Sequence, residues 1–257
     1  MSSGYLSKWS VDRPAAMFDG SPVLSLHLPK TAGSAFGEFL IRSLGRMFPI
    51  EHGRIDETFE QFLEAPGEHR FGNGHIDWSH IQRALDHPRP VHLITLLREP
   101  VARAVSNYTY CCSDKHPTSG EFRNAFPTID RYIEWGGMST NLQTRLIAGP
   151  DVESAEQAIE RIESTYAFVG LTELFNASCF VFSLAFGCEF RLPERMVNAA
   201  KDRAEEDHDI PQSAYDRIRE QNDLDLPVWE HFRRRYEDRM DDLVTLGMRS
   251  ASWPALR

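Results

Sequence analysis

VLSLHLPKTAGS, residues 23–34, sets an apolar run against a turn of small residues and the start of a helical pattern. The run at 23–28 ends at Pro29, and Phe36, Phe39, Leu40, Leu44 and Met47 then recur at three- and four-residue spacing. That spacing predicts a strand, a tight turn and a helix over 34–48 with one face in a core. A second unit of the same kind begins at Val91, where VHLITLL reads as a parallel strand buried on both faces. Pro100 suits the first turn of the helix that follows it. A further strand is expected at 168–171, followed by a helix through Phe186, with other helices over 153–165, 212–221 and 228–246. Strands alternating with helices argue for an α/β protein with a parallel central sheet flanked by helices on both faces.

Ligands on such sheets bind beyond the carboxyl ends of the strands, so the turns after Leu28 and Leu97 are where chemistry is expected. In HLPKTAGS, residues 27–34, small residues lead a strand into a helix N-terminus. The backbone N–H groups there and the helix dipole suit an anion, most simply a phosphate. Lys30 adds a mobile positive charge, and Thr31 and Ser34 add hydroxyl donors. The plainer alternative is a capped turn with Ser34 as N-cap and Lys30 in solvent. GxxxxGK[ST] is absent, because Lys30 precedes Gly33 instead of following a glycine, which disfavours an ordinary ATP or GTP hydrolase.

The run LREPVARAVSNY, residues 97–108, places Arg98 at the end of the buried strand and Ser106 two turns into the next helix. A guanidinium in that position can take a phosphate bidentately, or it can pair with a carboxylate such as Glu99. Arg103, on the same helix, reads as a solvated surface arginine. Between the two turns lies GNGHIDW, residues 72–78, after a segment at 69–71 that ends another parallel strand. Flanking glycines let the backbone approach a ligand, and a histidine suits deprotonation of a hydroxyl near neutral pH. His75 is therefore the candidate base, with His27 and Asp77 next in line. Trp78 reads as a core aromatic and His27 as a buried, satisfied histidine.

These strings carry a resemblance to a known family. PKTAGS resembles the 5′-phosphosulfate loop of sulfotransferases that use 3′-phosphoadenosine 5′-phosphosulfate (PAPS), whose turn often reads PKTxG[ST]. REPVARAVSNY fills every fixed position of their 3′-phosphate motif, R[DEH]PVxRxxSxY. GHIDW is similar to the segment carrying the catalytic histidine in heparan sulfate 6-O-sulfotransferases, and a GH pair occupies the corresponding region of the 2-O-sulfotransferases. Softer matches are NLQTRLIAG at 141–149, FVGLTE at 168–173, and Val197-Asn198 followed by Lys201 and Arg203, so the resemblance spans 23–240.

The resemblance implies a P-loop-NTPase-like sulfotransferase fold, of the glycan O-sulfotransferase branch. It implies that Lys30 meets the bridging oxygen of the leaving group while Thr31, Ala32, Gly33 and Ser34 hold the 5′-phosphate. Arg98 and Ser106 would bind the 3′-phosphate, Lys201 and Arg203 would close over the nucleotide, and His75 would be the base. The expected reaction moves a sulfuryl group to a hydroxyl of a carbohydrate or small molecule, with no metal. The alternatives are a P-loop-like nucleotide-dependent kinase and a non-catalytic nucleotide-binding module.

Composition sets the outer bounds. A chain of 257 residues is long enough for one full core, read here as an extension at 1–20 and a single catalytic domain over 21–257. Lys and Arg number 28 against 38 Asp and Glu, and the formal charge of −10 disfavours a protein that coats nucleic acid. No stretch is apolar for long enough to span a bilayer. The four cysteines fit neither a zinc spacing nor a disulfide framework. The eukaryotic Golgi members of the resembled family carry a membrane anchor and a stem, whereas this chain opens close to the catalytic domain, and a cytoplasmic location is expected. Residues 111–135, with Phe122, Phe126, Tyr132 and Trp135, read as an acceptor wall or a packed insert; the sequence does not fix the acceptor or the oligomeric state.

Overall fold

A computed structural model of the chain describes residues 21–65, 71–192 and 210–242. The expected extension at 1–20, Lys201, Arg203 and the end of the helix expected to reach 246 lie outside the described residues. The first unit is β1 (Val23–Leu26), then α1 (Gly33–Leu44). Phe36, Phe39, Leu40 and Leu44 are buried as the spacing requires, but the helix stops before Met47. Gly45, at φ 97°, takes a left-handed conformation open to glycine, and its N–H closes on the Ile41 carbonyl. Met47 and Phe48 then enter β2 (Met47–Pro49), an edge strand, instead of extending the helix.

A short 3-10 turn (His52–Arg54) leads into α2 (Ile55–Glu64), which buries Phe59, Phe62 and Leu63. β3 (Phe71–Gly74) includes the Gly-Asn-Gly string itself, so the glycines belong to the strand and not to a loop after it. At Gly74 a Cβ would lie 2.5 Å from the Ile50 Cβ, which explains the bare backbone there. The chain continues through α3 (Trp78–Asp86), β4 (His92–Leu97) and α4 (Pro100–Cys112), where Pro100 opens the helix and the Glu99 carboxylate accepts from the Val101 and Ala102 N–H groups. Short helices α5 (Ser119–Ala125), α6 (Ile129–Trp135) and α7 (Leu142–Ile147) follow, then α8 (Ala155–Thr165), β5 (Tyr166–Leu171), α9 (Phe175–Phe186), α10 (Gln212–Glu220) and α11 (Asp225–Glu237).

All five strands are parallel, in the order β2-β3-β1-β4-β5. Every residue of β1 and β5 is buried, so both faces of the sheet are covered, as expected of strands that read as continuous apolar runs. β1 is central: the chain first builds outward to β2 and β3 on one side, then crosses to β4 on the other. That reversal leaves a crevice at the carboxyl ends of β3, β1 and β4, where open parallel sheets bind ligands. Leu26 is in register with both Gly74 and Thr95, so the three motif-bearing turns leave the sheet side by side. The aromatic segment before Trp135 is a packed insert: Phe122, Phe126 and Tyr132 gather against α4, and Tyr132 is fully buried. Trp135 is the exposed member of that group.

Candidate active site

The turn after β1 is built around two non-glycine residues in left-handed conformation, Lys30 at φ 67° and Ala32 at φ 60°. Such backbone costs on the order of 1–3 kcal/mol per residue and persists where surrounding contacts over-determine it. Those contacts are present. Thr31 is buried and its hydroxyl donates to the Leu28 carbonyl at 3.0 Å, so it braces the turn instead of pointing at a ligand. Ala32 is the N-cap of α1 and provides no side-chain cap, and Ser34, the cap in the plainer alternative, lies exposed within the first turn. The alternation of left-handed residues with the uncapped helix start turns successive N–H groups into an anion nest.

Arg98 reaches this nest from β4. Its Nη1 donates to the Lys30 carbonyl at 2.9 Å, and the side chain is buried. The guanidinium therefore lies beneath the cradle, with the Glu99 carboxylate committed to capping α4. Ser106 is half-buried two turns into α4. The Lys30 ammonium lies 3.9 Å from the centre of the Tyr110 ring, a cation–π contact that holds it on the α4 side of the crevice. Arg103 is not solvated: it is 0% exposed and donates through Nη2 to the Met138 carbonyl at 2.6 Å. Burial lowers its pKa.

On the other side of the cradle stand two stacked histidines. His27 follows β1 and His75 follows β3, with ring centres 4.3 Å apart and planes 24° apart. The His27 N–H donates to the Gly74 carbonyl at 2.9 Å. Its ring fills the place where Gly33 has no side chain, since a Cβ on Gly33 would lie 1.8 Å from the His27 Cδ2. Burial is the main cause that lowers the His27 pKa to about 4, helped by the positive charges that His75 and Lys30 carry when protonated. His75 is also lowered, mainly by burial, against a hydrogen bond to the His27 backbone that acts in the other direction. Both rings are thus neutral near pH 7, and His75 remains exposed towards the crevice. Exposed His52, after β2, has its ring centre 6.2 Å from that of His75.

The structure thus brings Lys30, Thr31, Ala32, Gly33, Ser34, Arg98 and His75 to one edge of the sheet. Asp77 is withdrawn from the candidates for base: its carboxylate accepts from the Ser79 and His80 N–H groups at the start of α3 and from the Ser79 hydroxyl. Trp78 packs against the core, with the Arg161 guanidinium 5.2 Å from its ring. His27, read as a buried histidine and as next in line for the base, is a contact between cradle and base. Two participants escaped the sequence reading: Tyr110 holds Lys30, and Gln143 clasps the Arg98 peptide through both its polar atoms. Only Tyr110 had a local signal, lying on the helix that carries the second motif.

A phosphate-type nest, a lysine and a neutral histidine thus share one crevice of the α/β sheet. Several curated proteins are similar to this chain. The human protein named heparan-sulfate 6-O-sulfotransferase 1 is 23% identical, over 84% of this chain and 66% of its own length. Heparan-sulfate 6-O-sulfotransferase 3 of Mus musculus is 24% identical over 84% of this chain and 58% of its own, and heparan-sulfate 6-O-sulfotransferase 1-A of Danio rerio is 22% identical over 82% and 64%. The likeness to glycan O-sulfotransferases read from short motifs therefore extends along most of the chain. The chain spans just under two thirds of the length of the human relative. No protein-family model matches it.

Proposed function

We propose that this chain is an O-sulfotransferase that moves a sulfuryl group from PAPS to a hydroxyl of a carbohydrate acceptor. The observation that carries the reading is the meeting of an uncapped helix start, Lys30 and the neutral His75 ring at the carboxyl ends of adjacent strands. The residues present fit a donor with phosphates at both ends. The nest and Lys30 suit the 5′-phosphosulfate, while Arg98 and Ser106 suit the 3′-phosphate. Lys201 and Arg203 remain assigned to the nucleotide by resemblance alone. The names of the relatives support a carbohydrate acceptor, and a small-molecule hydroxyl is the narrower variant of the same proposal. A cytoplasmic location is also proposed, on the cysteine spacing.

In this reaction the acceptor oxygen bonds to sulfur while the bond from sulfur to the bridging phosphate oxygen breaks. The acceptor proton passes to the free ring nitrogen of His75, and the electron pair of the broken bond stays on adenosine 3′,5′-bisphosphate. Lys30 and the nest N–H groups stabilise the charge that grows on that leaving oxygen, a contribution that is largest for donors fixed before the reaction starts. Positioning both reactants on one crevice supplies much of the rest.

The decisive experiment is transfer of labelled sulfate from PAPS to a panel of glycans and small alcohols, in excess EDTA, with ATP as competing donor. Sulfated product without added metal is expected. Phosphorylated product from ATP, dependent on magnesium, would replace the reading with a kinase. Tight binding of adenosine 3′,5′-bisphosphate with no turnover on any acceptor would favour a binding module.

A further inference from the structure

Resting on the transfer reaction just described, we propose that His27 is its positioning residue: the imidazole is a wedge between Gly33 of the phosphate cradle and the His75 ring, and it fixes the plane of the base against the donor site.

Three contacts make the wedge. The backbone of His27 is pinned to β3 by its N–H bond to the Gly74 carbonyl, one residue before His75. One edge of its ring occupies the space over Gly33, so any side chain at that position would expel it. Its face carries the His75 ring at 4.3 Å, nearly parallel. The His27 N–H is spent on Gly74, and the His27 backbone raises the His75 pKa against the larger effect of burial. The positively chargeable groups facing the pair are Lys30 from the cradle and His52 from the 3-10 turn, and both oppose protonation of the stack. Removing the wedge uncovers His75 to water and frees its plane, whereas an aromatic ring without nitrogens keeps both.

The test compares His27→Ala and His27→Phe by following the His75 Cε1 proton through a pH titration in the nucleotide-free protein, together with the pH profile of kcat. In the native protein and in His27→Phe, His75 is expected to titrate below its ordinary value of about 6.5. In His27→Ala it is expected to return towards that value, with the acidic limb of kcat moving up alongside it. At neutral pH His27→Ala should lose at least about tenfold in kcat, as for a displaced general base, while His27→Phe stays within about threefold of native. An unmoved His75 titration in His27→Ala overturns the wedge. So does a His27→Phe protein that folds but loses transfer at every pH, because the ring nitrogens would then be the working part. Should His27→Ala not fold, the His27→Phe arm still decides. The titration needs no substrate, so a chain that shows the expected His75 shift yet transfers no sulfate on any acceptor would sink the function and leave the wedge standing.

Discussion

Gln143 holds the main chain of Arg98 from both ends: the Arg98 N–H donates to its Oε1 at 2.9 Å, and its Nε2 donates to the Arg98 carbonyl at 2.8 Å. The carboxamide thus takes the part of a missing strand neighbour at the end of β4. Gln143 is itself fixed, because Asp225 at the start of α11 accepts from the Gln143 and Thr144 N–H groups at 3.0 and 2.7 Å. Replacing Gln143 by Glu keeps the shape but sets an acceptor against the Arg98 carbonyl, leaving two buried oxygens facing each other. A buried polar group left unpartnered costs about 1–3 kcal/mol. The expected outcome is an affinity for adenosine 3′,5′-bisphosphate lowered by about tenfold or more, measured calorimetrically. AMP should suffer less, though not nothing, since Arg98 also ties the Lys30 carbonyl of the cradle. Unchanged binding of the bisphosphate would separate Gln143, and with it Arg98, from the nucleotide.

The neutral histidine pair makes the fold sensitive to acid. His27 has a folded-state pKa of about 4 against 6.5 for a free side chain, so between those values the unfolded chain binds the extra proton. Stability therefore falls as pH drops from about 6.5 towards 4, by up to roughly 3 kcal/mol from this residue at 1.36 kcal/mol per unit. His75, also lowered, adds to the loss in the same direction. Urea midpoints at pH 7 and 4.5 check the slope. His27→Phe, which cannot titrate, should flatten it, and an equal slope in that variant would place the acid sensitivity elsewhere.

What the sequence disclosed follows from how local each signal is. The strands before Leu28 and after Val91 are continuous apolar runs, and Pro100 marks a helix start by its own geometry, so these elements were legible. The end of α1 was not: Met47 and Phe48 continue the helical spacing, yet Gly45 breaks the helix and their partners in β3 lie more than twenty residues on. Lys30 and Arg98 were legible because each follows a readable strand, and His75 because it stands beside glycines in a string with a family resemblance, although the strand before it, β3, was placed too early. The part of Gln143 and the stacking of His27 on His75 were not legible, since those contacts are made with residues 45 and 48 positions away, and no periodicity reports them. Arg103 misled for a related reason. A helix position reads as exposed until the later chain, here Met138 and Tyr132, arrives to cover it.

That buried arginine allows a separate test of which motif positions serve the fold. Among the described residues its Nε and Nη1 have no protein partner, and Nη2 alone donates, to the Met138 carbonyl. Replacing a poorly paired buried charge by an apolar side chain of similar volume is often neutral or stabilising by about 1–4 kcal/mol. Arg103→Met is therefore expected to hold or raise the melting temperature and to leave adenosine 3′,5′-bisphosphate affinity unchanged. Arg103→Ala, which opens a cavity at the same place, should lower the melting temperature. A loss of nucleotide binding in a folded Arg103→Met protein would return this residue to the donor site.

His75 carries the last prediction, and the structure narrows the alternatives to it. Asp77 is occupied as the cap of α3, and His27, less accessible and with the lower pKa, faces the cradle and not the open crevice. If the His75 ring takes the acceptor proton, His75→Ala should lower the rate of the chemical step by roughly 10²- to 10⁴-fold. The nucleotide should bind almost as before, since the cradle, Lys30 and Arg98 are untouched. The lowered pKa of His75 further requires that native kcat hold steady through neutral pH and decline only on the acidic side, where the ring becomes protonated. Lys30→Ala separates the two roles, because it should slow transfer and weaken the 5′-phosphosulfate end together. Single-turnover rates with saturating PAPS, read across pH 5 to 9, make the comparison. A folded His75→Ala protein that turns over near the native rate would move the base to His27, whose Ala variant would then have to be inactive at every pH.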